Sequence, residues 1–198
     1  MSSHHFVKEG QEPALLIANP SSLALVQPLL EWAPYVMVLN SSLERALLWG
    51  IKIDAVLIKD DEVSSAEALL IDHGPVTIVR FGKNDDAIAC GLNFLKQHHQ
   101  HSVNLISDSD ATFTHVGEFE KGFNISILAG AMKWSYLRDG LFEKWFPEQT
   151  KIFVKTSDTQ SPTCHGLTET GPFEYEVTRD GLIKIQANVP LWIGESLL

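Results

Sequence analysis

Short apolar runs alternate with helical stretches through the first half of the chain. Ala14–Ala18 (ALLIA), Tyr35–Leu39 (YVMVL), Ala55–Ile58 (AVLI), Val76–Val79 and Ser102–Ile106 (SVNLI) are brief and nearly continuous in apolar character. Runs of this kind predict strands buried on both faces. Helices are predicted between them. Leu23–Trp32 contains Pro28, which bends or splits a helix. Leu43–Trp49 follows the turn Asn40-Ser41-Ser42 and is closed by Gly50. Ser64-Ser65-Ala66-Glu67 has the spacing of a capping box, with a helix running to about Asp72 and ending at Gly74. A last helix covers about Asp86–Gln97, capped by Asn84 or Asp85. Strand and helix alternating over short turns predict a parallel sheet flanked by helices, with right-handed connections.

Near Thr112 the pattern changes. Helical periodicity fades and short β-rich runs take over: Asn124–Leu128, Lys133–Leu137, Phe142–Phe146, Lys151–Lys155, Phe173–Thr178, Leu182–Ala187 and Leu191–Ile193. Asp139-Gly140 and Asp180-Gly181 read as hairpin turns between such runs. Thr156–Pro172 is rich in Ser, Thr, Pro and Gly and reads as a loop. The expectation is α/β: a Rossmann-like parallel sheet over 14–115, behind a mobile polar tail at 1–13, then a β-sandwich over 116–198.

Composition narrows the function classes. The chain has 198 residues, of which 44% are hydrophobic and 20% charged. That is enough apolar material for a sizeable core, and it argues against wholesale disorder. A net charge of −10 repels phosphate backbones, so broad nucleic-acid binding is not expected. Cys90 and Cys164 lie in unrelated contexts outside any CxxC, which fits a reducing compartment. The opening MSSHHFVKEGQEP carries no apolar signal-peptide core, and no run reaches membrane-span length. A soluble cytoplasmic protein is expected, with no membrane partner.

The chemistry gathers after the third predicted strand. Asp60, Asp61 and Glu62 leave it in succession, and open α/β sheets build sites at the carboxyl ends of their strands. Two readings stand: a site for a hard cation, or a solvated loop whose acids favour the next helix dipole. For Asp85 and Asp86 the alternative to metal binding is plain N-capping. His98, His99 and His101 end a helix and point in divergent directions, which is poor geometry for zinc. Cys90 reads as a buried inert thiol. Trp134, Tyr136, Phe142, Trp145, Phe146 and Trp192 read first as core, and otherwise as an aromatic wall or an interface.

The order of elements, with acids after the third strand, resembles the thiamine pyrophosphokinase family. That family's pattern here is roughly G-I-x-P-D, an apolar strand, then G-D-x-D-S. This chain has Gly50-Ile51-Lys52-Ile53-Asp54, then Ala55–Ile58, then Lys59-Asp60-Asp61-Glu62-Val63. Asp60 and Glu62 fall on the two acidic positions. The family's N-G turn after the first strand appears as Asn19-Pro20, and its D-G-G turn after the second as Asn40-Ser41-Ser42. Its K-D-x-T-D appears as Lys83-Asn84-Asp85-Asp86. Its G-G-R-x-D-H loop appears as Asp110–His115, where only His115 is kept. The Gly-rich and Arg-bearing phosphate loop is therefore lost.

The resemblance implies transfer of pyrophosphate from ATP to thiamine with Mg²⁺. It implies metal ligation by Asp60, Glu62, Asp85 and Asp86, with Asp60 and Glu62 catalytic. It places Asn19, Asn40, Lys59, Lys83 and His115 around the nucleotide. It also implies a homodimer, with ATP and a thiamine-like ligand as small-molecule partners. The lost phosphate loop implies the alternative: a catalytically diverged relative that keeps the fold and binds a small ligand without turnover.

Overall fold

In the computed structural model the described residues are 12–19, 22–109, 112–113, 116, 123–156 and 161–197. The chain divides into two compact units, 1–125 and 126–198.

In the first unit the apolar runs become strands β1 (Ala14–Asn19), β2 (Val36–Leu39), β3 (Ala55–Lys59), β4 (Thr77–Phe81) and β5 (Ser102–Ser107). They lie side by side in the order β5-β1-β2-β3-β4, every neighbouring pair parallel. Leu15, Leu16, Ile17, Met37, Leu57, Ile58, Leu105 and Ile106 are almost wholly buried. Continuous apolar runs are what strands need when both faces are covered.

The helices are short. Pro28 does split the first: α1 (Leu23–Val26) gives way to a 3₁₀ turn at Gln27–Leu30. Next comes α2 (Leu43–Leu48), whose last turn is closed by Gly50 at φ 65°. The third, α3 (Val63–Leu70), lacks the expected capping box. Its N-cap is Glu62, and Ser65 lies inside the helix, with its hydroxyl donating to the Glu62 carbonyl at 2.7 Å. The fourth is α4 (Ala87–Gln97), capped by the Asp86 side chain, which accepts from Ala89 N at 2.9 Å. At its end the His98 ring stacks on Phe94, and Nδ1 lies 2.9 Å from the Phe94 carbonyl. His99 takes φ 60°.

Gly91 sets the approach of α4 to the sheet. A Cβ there would sit 2.6 Å from Leu57 Cδ1, 3.3 Å from Met37 Sδ and 3.4 Å from Leu16 Cδ2, on three adjacent strands. All three side chains are fully buried and have nowhere to retreat. Gly91→Ala is therefore expected to cost about 1–3 kcal/mol through overpacking, read as a lower urea midpoint at unchanged slope.

The second unit is antiparallel. Its strands are β6 (Asn124–Ala129), β7 (Met132–Leu137), β8 (Leu141–Phe146), β9 (Lys151–Thr156), β10 (Thr163–His165), β11 (Leu167–Gly171), β12 (Glu174–Val177), β13 (Gly181–Gln186) and β14 (Leu191–Ser196). One sheet runs β11-β12-β9-β14-β7-β6, and a three-stranded one runs β10-β13-β8. Asp139-Gly140 and Asp180-Gly181 are not hairpin turns. Each carries the chain from one sheet to the other, since β7 pairs with β6 and β14 whereas β8 pairs with β13. β10 and β11 arise inside the stretch that reads as a loop.

Both sheets feed one buried cluster: Phe146, Ile183 and Ile185 from one, Ile152, Val154, Tyr175, Val177, Leu191 and Ile193 from the other. Of the aromatic residues, Trp134, Phe146 and Trp192 are buried, whereas Trp145 is exposed. The Tyr136 and Trp192 rings, direct cross-strand neighbours, lie 4.8 Å apart.

Tyr175 is a polar exception in this core. Its hydroxyl is buried beside Ser161 and Cys164, and among the described residues it makes no well-formed hydrogen bond. Burial first, then the neighbouring Cys164 and Glu169, push its pKa up to about 12. The folded state thus holds the phenol proton more tightly than the unfolded chain, whose tyrosine ionises near pH ~10. Stability from this group is complete below pH ~10 and is lost as pH rises towards ~12. Tyr175→Phe is expected to be neutral or to gain about 1 kcal/mol at neutral pH. Its denaturation midpoints should also fall less steeply than wild type between pH ~10 and ~12.

Candidate functional site at the carboxyl edge of the parallel sheet

The strand order fixes where a ligand can bind. From β1 the chain steps to β2, β3 and β4 in one direction, then places β5 on the other side of β1. Crossovers reverse between β1 and β5, and such a reversal opens a crevice beyond the carboxyl ends of the strands. Asn19 ends β1 and is in register with Ser107, which ends β5.

Polar side chains tie this edge together. Ser107 and Thr112 are buried, and their hydroxyls meet at 2.8 Å. The turn after β5 also closes through Thr112 N, which donates to Ser109 O at 3.1 Å. Ser42 is buried, and its hydroxyl donates to the Ala18 carbonyl at 2.9 Å. That bond fastens the turn after β2 to the end of β1. Asn40, in the same turn, donates through Nδ2 to Glu62 Oε2 at 2.7 Å. The turn after β2 is thereby joined to the acids that follow β3. Ser42, Ser107 and Thr112 escaped sequence reading, because a hydroxyl in a Ser/Thr-rich turn has no signature until its partner is known.

The predicted residues reach this edge in different company. Asp60, Asp61 and Glu62 form a 3₁₀ turn directly after β3. Asp60 is exposed and Glu62 is half-buried against Asn40. Lys59 ends β3 in register with Phe81 at the end of β4, so Lys59 and Lys83 occupy neighbouring strand ends, both exposed. Asp85 is turned back on its own loop: it accepts from Gly82 N at 2.8 Å, while its amide donates to Gly82 O at 3.1 Å. Asp86 caps α4. Among the described residues, no three His, Cys, Asp or Glu side chains converge on one point. His115 and most of Asp110–His115 lie outside the described residues.

Asp54 works at the opposite edge. Its carboxylate accepts from Val36 N at 2.9 Å and pairs with Lys52 at 2.6 Å. Its backbone bonds Val36 O and Thr77 N, each at 2.9 Å. It clamps the starts of β2, β3 and β4. So Gly50 and Asp54 set the entry to β3, while Asp60 and Glu62 mark its exit.

Cys90 and Cys164 are both half-buried. Burial first, then acids nearby (Asp85 and Asp86 for Cys90, Glu169 for Cys164), push both thiols above their usual range. A raised pKa disfavours the thiolate a nucleophile needs.

No protein-family model matches the sequence, and no curated protein matches it. Solved structures do. Thiamine pyrophosphokinase from Bacillus subtilis superposes with a TM-score of 0.67 at 9% identity, covering 93% of this chain and 98% of its own. Yeast thiamin pyrophosphokinase gives a TM-score of 0.66 at 10% identity, covering 94% and 87%.

The chain has the thiamine pyrophosphokinase fold.

A thiamin pyrophosphokinase family protein from Enterococcus faecalis shares it too, with a TM-score of 0.65 at 13% identity over 93% of this chain and 98% of its own. Identities this low make the chain a divergent sequence on the thiamine pyrophosphokinase fold. The shared feature is the path of the backbone. Among the described residues no helix is long and apolar enough to cross a membrane.

Proposed function

We propose that the chain binds Mg²⁺-ATP at the carboxyl edge of its parallel sheet and transfers pyrophosphate to the hydroxyl of thiamine or a similar alcohol. The observation that supports this best is the turn Asp60–Glu62 at the exit of β3, joined to the β2 turn by Asn40. On this reading 14–115 is a Rossmann-like nucleotide domain and 116–198 a β-sandwich domain, in a cytoplasmic homodimer.

The donor chemistry fits a hard cation. Mg²⁺ takes oxygen ligands, keeps several waters, and is commonly held by one or two carboxylates plus substrate phosphates. Asp60 and Glu62 would hold it, with Asp85 and Asp86 completing the acidic set at the neighbouring strand end. When bound, the ion neutralises phosphate charge and aligns the displacement. Asn40 orients Glu62. Lys59 and Lys83 offer cations to phosphate oxygens, and Asn19 lines the crevice beside Ser107. His115 joins the set through the family resemblance. The alcohol oxygen attacks the β-phosphorus, the bond to the α-phosphate oxygen breaks, AMP leaves, and the hydroxyl proton passes to solvent.

One observation favours a second reading, a diverged relative that binds without turnover. Glu62, Asp85 and Asp86 are each already engaged by protein donors. Incubation with ATP, Mg²⁺ and thiamine, followed by chromatography, separates the two. AMP and thiamine diphosphate in equal amounts support transfer. Ligand-induced stabilisation without AMP supports the second reading.

A further inference from the structure

Cys164 meets a buried phenol between the two sheets of the antiparallel unit. It lies on β10, in register with Ile185 of β13, and packs against the buried cluster. Tyr175 lies on β12 of the other sheet, in register with Ile152, and is only 3% exposed. Its hydroxyl sits beside the Cys164 sulfur and the Ser161 hydroxyl, yet among the described residues it makes no well-formed hydrogen bond. Cys164 Sγ donates weakly to the Pro162 carbonyl at 3.6 Å. Cys164 is half-buried and Ser161 exposed, so small solutes reach the sulfur from the Ser161 side.

A buried hydroxyl without a partner is costly, and the cost is relieved when an acceptor arrives. A thiol sulfur is a poor acceptor. A peroxide supplies a better one by converting the thiol to a sulfenic acid. The sulfur attacks one peroxide oxygen, the O–O bond breaks, and the thiol proton ends on the departing oxygen. Sulfur loses two electrons, the peroxide gains them, and water or an alcohol leaves. The new oxygen sits on sulfur, where the Tyr175 hydroxyl can donate to it. Burial first, then Glu169, pushes the Cys164 thiol up, so the attack is slow. The same acid disfavours an ionised sulfenate, which leaves the neutral sulfenic acid as the form held. The other cysteine, Cys90, belongs to the first unit. The antiparallel unit therefore has no thiol of its own to convert the sulfenic acid to a disulfide.

We propose that Cys164 is a peroxide-oxidation site whose sulfenic acid is retained by a hydrogen bond from Tyr175. Its chemistry is independent of the carboxyl-edge site and of whether that site turns over.

Dimedone trapping in the full chain tests it. Cys90→Ser leaves Cys164 as the single thiol. The folded Cys90→Ser protein is treated with hydrogen peroxide, catalase removes the excess, and dimedone is added after increasing delays. Peptide mass spectrometry then reads the adduct on Cys164. An adduct is expected, and adding Tyr175→Phe should shorten the lifetime of the trappable species about fivefold or more, the worth of one hydrogen bond. Melting curves give a second readout that does not depend on trapping. Peroxide should leave the melting temperature of the Cys90→Ser protein unchanged or higher. It should lower that of the Cys90→Ser/Tyr175→Phe protein by about 3 °C or more, because the new polar group then lacks its buried donor. Absence of an adduct on Cys164 would overturn the proposal. So would a sulfenic acid equally long-lived in the Tyr175→Phe protein, or a melting temperature that falls alike in both proteins.

Discussion

Gly140→Ala is expected to destabilise the C-terminal unit by about 3–4 kcal/mol, the largest effect of any single substitution considered. Two independent costs combine. Gly140 has φ 67°, a conformation that costs an L side chain about 1–3 kcal/mol. A Cβ there would also lie 2.3 Å from the Ala187 carbonyl oxygen and 2.8 Å from that of Val189. Those are backbone atoms, and the Ala187 amide donates to Gly140 O at 2.9 Å, so the segment cannot swing away without losing that bond. The turn carries the chain between the two sheets that share the core, so displacing it disturbs both. The near-ultraviolet circular dichroism signal should melt ~12 °C or more below wild type. A shift of only a degree or two would mean the turn relaxes freely.

The second large effect concerns the site. Glu62→Gln keeps an oxygen to accept from Asn40 Nδ2 but removes the charge. If Glu62 helps hold a cation, Mg²⁺-ATP at about 100 times its dissociation constant should stabilise wild type by about 2.7 kcal/mol and the variant by almost nothing. Any AMP formation should fall about 100-fold or more. Glu62→Ala should do the same and also lose about 1 kcal/mol of intrinsic stability, since Asn40 then loses its partner. The contrast separates the electrostatic role of Glu62 from its role in tying two turns together.

Much of the fold was legible because it follows from local physics. ALLIA and AVLI can only be comfortable with both faces covered, and they became interior strands of the sheet. Pro28 split its helix because its ring cannot sit in a helix interior, and Gly50 closed α2 in the left-handed conformation. What could not be read locally is pairing. Asp139-Gly140 announces a tight turn, but nothing in two residues says whether the flanking strands bond each other or part to different sheets. β10 and β11 hid in a Ser/Thr-rich stretch because strands at a sheet's edge need few apolar residues. The capping box failed because Glu62 already occupied the N-cap, two residues earlier than the expected Ser64 cap.

The candidate site was legible in location and less so in its wiring. A strand that ends in acids points to the carboxyl edge of the sheet, and Asn19, Asn40, Lys59, Asp60, Glu62, Lys83, Asp85 and Asp86 all lie along that edge. Their partners were invisible in the sequence. Asp85 and Asp86 have the same side chain, yet one closes its own turn and the other caps α4. Asp54, one residue before β3, is a clamp for three strand starts. A carboxylate's role is set by which amides face it, and those come from residues far away in the chain.

The edge holding Asp60 and Glu62 is proposed to bind a magnesium-nucleotide. Isothermal titration of ATP into wild type and Glu62→Gln, with Mg²⁺ and with EDTA, tests it most directly. Binding to wild type should require Mg²⁺ and should be lost or weakened about 100-fold in the variant. Binding that is equal in the two proteins, or no binding of Mg²⁺-ATP to wild type, would contradict it.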